Sequence, residues 1–139
     1  MNNKVIFAGL LGWAGAQLLK VVTYSIKLKK IDLTRIVGSG GMPSSHSWFV
    51  MAVAIKTGME TGFNSPIFAI ALSFAIVVMY DAAGVRRAAG NQARVINQII
   101  LDLSHKKGLQ QDRLKELIGH TPFEVIAGAI LGIIIGIIV

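Results

Sequence analysis

Two histidines carry the first hint of chemistry. His120 is followed four residues later by Glu124, in the run Gly-His-Thr-Pro-Phe-Glu. That spacing puts the pair on one helix face if a helix has begun by His120. A carboxylate so placed accepts from one ring nitrogen and leaves the other as nucleophile or base. His46 closes the run Gly38-Ser-Gly-Gly-Met-Pro-Ser-Ser-His46. Three glycines in four residues let a backbone approach a ligand closely, and Pro43 suits the first turn of a helix. Ser44, Ser45 and His46 then stand where unpaired N–H groups and the helix dipole favour an anion. A histidine there can give a proton to an oxyanion. Arg35, Arg86 and Arg87 offer planar forks that match phosphate oxygens. With Asp81 close to the last two in sequence, these residues make a candidate phosphoryl-transfer site that calls for no metal or other cofactor. Each feature also has a plainer reading. His46 could be incidental to a capped helix start, and His120 to Glu124 a bare helix-start motif. Arg86-Arg87 could be a charge signal, and Asp81 their salt-bridge partner.

The elements that must hold these groups are greasy. The chain has 139 residues, of which 53% are hydrophobic and 15% charged, and its mean hydropathy is +0.62. That suits a single membrane-embedded domain over 1–139 rather than a soluble one. The net charge of +7 would suggest nucleic acid in a soluble protein. Here the bases lie between apolar segments, so anionic lipid and the positive-inside rule account for them, and no nucleic acid is expected. The absence of cysteine removes disulfides, a thiolate nucleophile and Cys-based zinc sites.

Four apolar segments stand out, near Val5–Val22, Ser47–Thr61, Pro66–Ala83 and Phe123–Val139. The second contains Lys56 and is short, which also allows a re-entrant or interfacial helix. Twelve of the fourteen bases fall in two stretches: Lys20 to Arg35 after the first segment, and Arg86 to Lys115 after the third. If all four segments cross, both stretches share one side, which the positive-inside rule makes cytoplasmic. Within the second stretch Val95, Ile96, Ile99, Ile100 and Leu103 recur at helical spacing, opposite Arg94, Asn97, Gln98 and Asp102. This predicts an amphipathic helix, either on the membrane surface or packed on the bundle. Lys106-Lys107-Gly108 should stop it, and Asp112 can cap a short helix through Leu117. Gly128, Gly132 and Gly136 make a small-residue face on the last segment; Ala8, Gly12 and Ala16 make one on the first. Such faces allow close helix packing in lipid, within the chain or across a homodimer. The expected architecture is therefore all-α: an integral membrane bundle of about four embedded helices plus a cytoplasmic amphipathic helix.

Three runs together resemble a known family: Gly-Met-Pro43-Ser44-Ser45-His46-Ser47, Tyr80-Asp81-Ala-Ala-Gly84-Val-Arg86-Arg87, and Gly119-His120-Thr-Pro122-Phe-Glu124-Val. The chain is similar over nearly its whole length to the divergent branch of the type 2 phosphatidic acid phosphatase superfamily. That superfamily also holds lipid phosphate phosphatases and vanadium-dependent haloperoxidases. Its Pro-Ser-Gly-His motif supplies phosphate-binding N–H groups, a serine and a general-acid histidine; Pro43 to His46 match it with Ser45 for glycine. A later His-(three residues)-Asp motif supplies the nucleophile and its orienting carboxylate; His120 to Glu124 match it with Glu for Asp. Two departures stand beside these matches. The first motif, Lys-(six residues)-Arg-Pro, is not met, because Leu28 holds the lysine's place and Ile36 follows Arg35. Lys27, Lys29 or Lys30 are the candidates to replace that lysine. The Ser-Arg pair expected before the nucleophilic histidine is also missing, since Arg113 stands one residue too far away, and Arg86 and Arg87 are the candidates to stand in.

The resemblance implies a membrane phosphatase of lipid phosphates or pyrophosphates. His120 would form a phosphohistidine, His46 would protonate the leaving oxygen, and Glu124 would orient His120. Arg35, Ser44, Ser45, Arg86 and Arg87 would hold the phosphate, with Asp81 and Lys30 as accessories. The expected partners are the bilayer and a phosphorylated lipid, in a bacterial plasma membrane with the site facing the cytoplasm. The alternatives are a hydrolase of a small soluble phosphoester or pyrophosphate, and a non-catalytic protein that binds anionic lipid headgroups.

Overall fold

A computed structural model describes residues 3–28, 42–107 and 119–139. Five helices appear there: α1 (Lys4–Leu28), α2 (Ser45–Thr61), α3 (Pro66–Ala83), α4 (Val85–Lys107) and α5 (Pro122–Ile138). Their starts are written in short polar side chains. Asn3 Oδ1 accepts from the N–H groups of Val5 and Ile6 at 3.1 and 3.2 Å. Ser65 caps α3 by accepting from Phe68 N–H at 3.1 Å, with Pro66 opening the helix. These side chains satisfy N–H groups that a helix start leaves without partners. The turn between α2 and α3 uses Gly62 at φ 89°, a region that L side chains avoid. α3 stops at Gly84, whose N–H returns to Tyr80 O at 2.9 Å, and α4 begins one residue later.

α2 is the centre of the molecule. It packs against α1, α3 and α5, while α4 touches only α3 among the described helices. Much of what is buried is small or polar, such as Ala8, Ala16, Ala52, Ala54, Ala75, Ser44 and Ser47, packed around a few larger side chains of α2, among them Trp48 and Met51. Large apolar side chains such as Leu18, Ile70, Phe74, Val77 and Ile126 face outward. A soluble domain has the reverse arrangement. Small residues inside and large ones outside are what lipid selects, because packing rather than apolar burial must hold the helices together there. Two stretches are long and apolar enough to cross a membrane, Lys4–Thr23 in α1 and Pro66–Asp102, which begins with α3; α5 is a shorter apolar helix. At about 1.5 Å per residue, the 17 residues of α2 and of α5 each reach roughly 26 Å.

The close approach of these helices rests on glycine. A Cβ on Gly132 would stand 2.5 Å from Trp48 O, and one on Gly128 would collide with Ser44 O. A Cβ on Gly12 would stand 2.7 Å from the Trp48 ring. Both small-residue faces are therefore occupied by α2. Of the two expectations for these faces, packing within the chain is the one the structure shows, since neither is left on the surface for a homodimer. α2 itself is the central helix of the bundle. Its Lys56, only 5% exposed, is paired with Glu60 at 3.2 Å, and Lys4 reaches the same carboxylate at 3.8 Å.

α1 extends six residues past the expected end at Val22, which moves Lys20 out of the basic loop and into the bundle. α4 begins at Val85, so Arg86 and Arg87 lie in its first turn and not in a connecting loop. Its last described residue is Lys107, so the expected stop at Lys106-Lys107-Gly108 reaches beyond the described residues. Arg35, Lys30, the glycines at 38–41 and the expected short helix after Asp112 lie outside the described residues.

Candidate active site

The starts of α2 and α5 lie side by side at one end of the bundle. Ser44 N–H donates to Glu124 O at 3.1 Å, and Gly128 lets the Ser44 carbonyl sit directly on α5. This joint fixes the two histidine-bearing segments against each other. Ser44 is the N-cap of α2 and Pro43 precedes it, behind a cis Met42–Pro43 peptide. Pro43 is thus outside the helix rather than in its first turn. The Ser44 hydroxyl accepts from Ser47 N–H at 3.4 Å and from Ser47 Oγ at 3.0 Å, and it is fully buried. Both bonds use its lone pairs and neither uses its O–H.

His120 sits just before α5, not on it. Thr121 is the N-cap and Pro122 the first helical residue, so the shared helix face expected for His120 and Glu124 does not exist. They meet by another route. Thr121 and Glu124 form a capping box, in which Glu124 Oε2 accepts from Thr121 N–H at 2.8 Å and Thr121 Oγ1 accepts from Glu124 N–H at 3.3 Å. Curling back over the helix start in this way brings Oε2 to 3.4 Å from His120 Nδ1. The helix-start reading and the orienting-carboxylate reading are one arrangement. The backbone of His120 is pinned as well: its N–H donates to Ala82 O at 3.2 Å, at the end of α3. Gly119 lies so close to the backbone of Arg87 that any Cβ would clash with it.

His46, in the first turn of α2, faces this group. The two imidazole rings lie 6.4 Å apart, centroid to centroid, tilted by 59°. His120 is 4% exposed and His46 is half-buried. One buried ring backed by a carboxylate, opposed by a second ring with partial access, can hold a reacting group between them.

Ser45, beside His46, accepts from Lys20 Nζ at 3.1 Å. Lys20 is 2% exposed. Sequence reasoning assigned it to a solvated loop, yet its signal was present. An ionisable residue three after Gln17 in an apolar run is expensive unless it serves a site. Lys20 therefore joins the candidate set beside the loop lysines. Asp81 is half-buried near the end of α3, next to the residue that binds His120 N–H. Arg87 is exposed, and the side chain of Arg86 lies outside what is described. The structure thus brings together His46, His120, Glu124, Ser45 and Lys20, and leaves Arg87 outside that cluster. Among the described residues, no three His, Cys, Asp or Glu side chains group as metal ligands would.

Comparison with known proteins agrees with this reading of the fold. The chain is 36% identical over 149 residues to the uncharacterized membrane protein YuiD of Bacillus subtilis (strain 168), across 99% of this chain and 94% of that protein. No solved structure matches significantly. The sequence signature described as the Divergent PAP2 family matches residues 1–135. Outward-facing apolar helices, the membrane-protein relative and that near-complete match agree: the chain is a membrane protein and belongs to the divergent PAP2 family.

Proposed function

We propose that this protein is a membrane phosphatase acting on a lipid phosphate or pyrophosphate through a phosphohistidine. The observation that carries the reading is the pair of opposed imidazoles, with Glu124 Oε2 at 3.4 Å from the buried one. A protein that only binds anions needs cations and N–H groups; it has no need of a carboxylate-backed buried histidine facing a second histidine. Glu124 would accept from Nδ1–H of His120 and hold the tautomer whose Nε2 attacks phosphorus. His46 would protonate the leaving oxygen, then draw a proton from the water that hydrolyses the phosphohistidine. Lys20, the Ser45 hydroxyl and the first turn of α2 would stabilise charge on the equatorial oxygens. Arg35, Arg86 and Arg87 remain proposed phosphate ligands. On the positive-inside rule this end would face the cytoplasm, since α4, which carries Arg86, Arg87 and Arg94, begins beside it.

The direct test is a phosphate-release panel on purified protein with phosphatidate, phosphatidylglycerophosphate, a polyprenyl pyrophosphate and inorganic pyrophosphate. Release from a lipid substrate that disappears in His120→Ala supports the reading. Release only from inorganic pyrophosphate moves the substrate to the soluble class. No release from any of the four, by protein that is folded, overturns it.

A further inference from the structure

Different parts of the bundle carry the two halves of the candidate site. Lys20, Ser45 and His46 belong to α1 and α2. His120 belongs to the backbone that enters α5, and that backbone is seated on the corner between α3 and α4. The corner turns at Gly84, whose N–H returns to Tyr80 O at 2.9 Å and whose carbonyl accepts from Ala88 N–H at 2.9 Å. Ala82 O is among the last carbonyls of α3, which a helix end leaves for a partner from elsewhere. The His120 N–H takes it at 3.2 Å. One residue earlier, Gly119 rests on the first turn of α4, where a Cβ would overlap the backbone N and Cα of Arg87. Those atoms are held inside a helix and cannot step aside as the tip of a side chain can. A hydrogen bond and a close backbone contact on successive residues thus fix where His120 stands.

We propose that Gly119 is a positioning residue for His120. Having no Cβ, it lets the chain settle on the α3–α4 corner, and that seat sets the place of the attacking nitrogen independently of the groups that hold the phosphate. What His120 does here rests on the proposed function; where it stands rests on backbone contact alone. Non-bonded heavy atoms settle near 3.5 Å, so any side chain at 119 pushes the segment off Arg87 by a shift on the order of 1 Å. His120 Nδ1 is already 3.4 Å from Glu124 Oε2, long for a hydrogen bond, and that contact has no slack to absorb the shift. A misplacement of about 1 Å can cost about 10²-fold in rate. The same contact gives Arg87 a part in the site that does not use its guanidinium: its backbone supports His120 while its side chain is exposed.

The test reads the ring and the rate separately, on full-length protein in detergent micelles. With histidine labelled in ¹⁵N, the His120 ring, identified by its loss in His120→Gln, should carry its proton on Nδ1, toward Glu124. The His120 amide should exchange with solvent as slowly as the helical amides of α3. In Gly119→Ala the ring should lose that tautomer preference, and kcat should fall about 10²-fold. Competitive inhibition by inorganic phosphate, which α1 and α2 would hold, should stay as in the parent. Arg87→Ala keeps the backbone and should leave the ring signals unchanged. Unaltered ring signals in Gly119→Ala overturn the proposal, as does a loss of kcat matched by an equal loss of phosphate inhibition. A His120 amide in the parent that exchanges as fast as a free one also overturns it, and that measurement needs no variant to fold. Ring signals that change in a protein whose parent releases no phosphate support the seat and sink the phosphatase. Phosphate release by Gly119→Ala at the parent's rate does the reverse.

Discussion

Replacing Lys20 with methionine separates a site residue from a structural one, because the two roles predict opposite signs. Lys20 is 2% exposed and its ammonium donates to Ser45 Oγ at 3.1 Å. As a purely structural residue it is a poor choice. Replacing a buried charge with an apolar side chain of similar length is often neutral or stabilising, so Lys20→Met should melt within about 1 kcal/mol of the parent, or above it. As a phosphate ligand it supplies a charged hydrogen bond worth about 1.5–3 kcal/mol, so vanadate affinity and kcat/KM should fall roughly 10- to 150-fold. Vanadate inhibition of phosphate release gives the first quantity and thermal melting gives the second. Ser45→Ala removes the partner but keeps the charge, and should cost less. If the double variant loses no more than Lys20→Met alone, the lysine acts through Ser45; if the losses add, it touches the phosphate itself. Unchanged vanadate inhibition in Lys20→Met would refute the reasoning, as would a protein that no longer folds.

Glu124→Gln should leave the fold nearly intact, since glutamine also completes a capping box. It should lower kcat by about 10²- to 10⁴-fold, in the range of a lost acid–base partner, measured beside circular dichroism melts. Gly132→Ala places a methyl 2.5 Å from Trp48 O, a backbone atom that cannot step aside. It should lower stability by about 1–3 kcal/mol, read from detergent melts. Because the chain has no cysteine, Arg87→Cys and Phe63→Cys give clean topology probes. A membrane-impermeant maleimide should label position 63 in intact cells and position 87 only after the cytoplasmic face is opened.

How far the sequence reached depended on whether a feature was local. Helix starts at Ser65-Pro66 and Thr121-Pro122 are decided by their own few residues, and the spans around them were legible. The pairing of His120 with Glu124 was found at the right spacing but for the wrong geometric reason. Helical periodicity suggested a shared face, whereas the capping box does the work by folding the carboxylate back. Lys20 was misplaced because hydropathy falls where Gln17 and Lys20 appear, as it would at the end of a span. The helix runs on to Leu28 because Ser45, distant in sequence, gives the ammonium a partner inside the bundle. The glycine faces were read correctly as packing faces, yet only the central position of α2 shows what fills them. Ser44 matched a phosphate-binding motif within a run that also read as a capped helix start, and the structure shows the cap, with Ser44 Oγ accepting from Ser47.

The central claim is that His120 carries the phosphoryl group and His46 the proton. Rapid alkaline denaturing quench with ³²P-labelled lipid phosphate, which spares the acid-labile P–N bond of a phosphohistidine, followed by peptide mapping, addresses it most directly. The account predicts label on His120 in the parent and none in His120→Ala; with ³²P-labelled p-nitrophenyl phosphate, whose leaving oxygen needs no proton, the label should accumulate in His46→Ala. Label that persists when His120 is absent would contradict it.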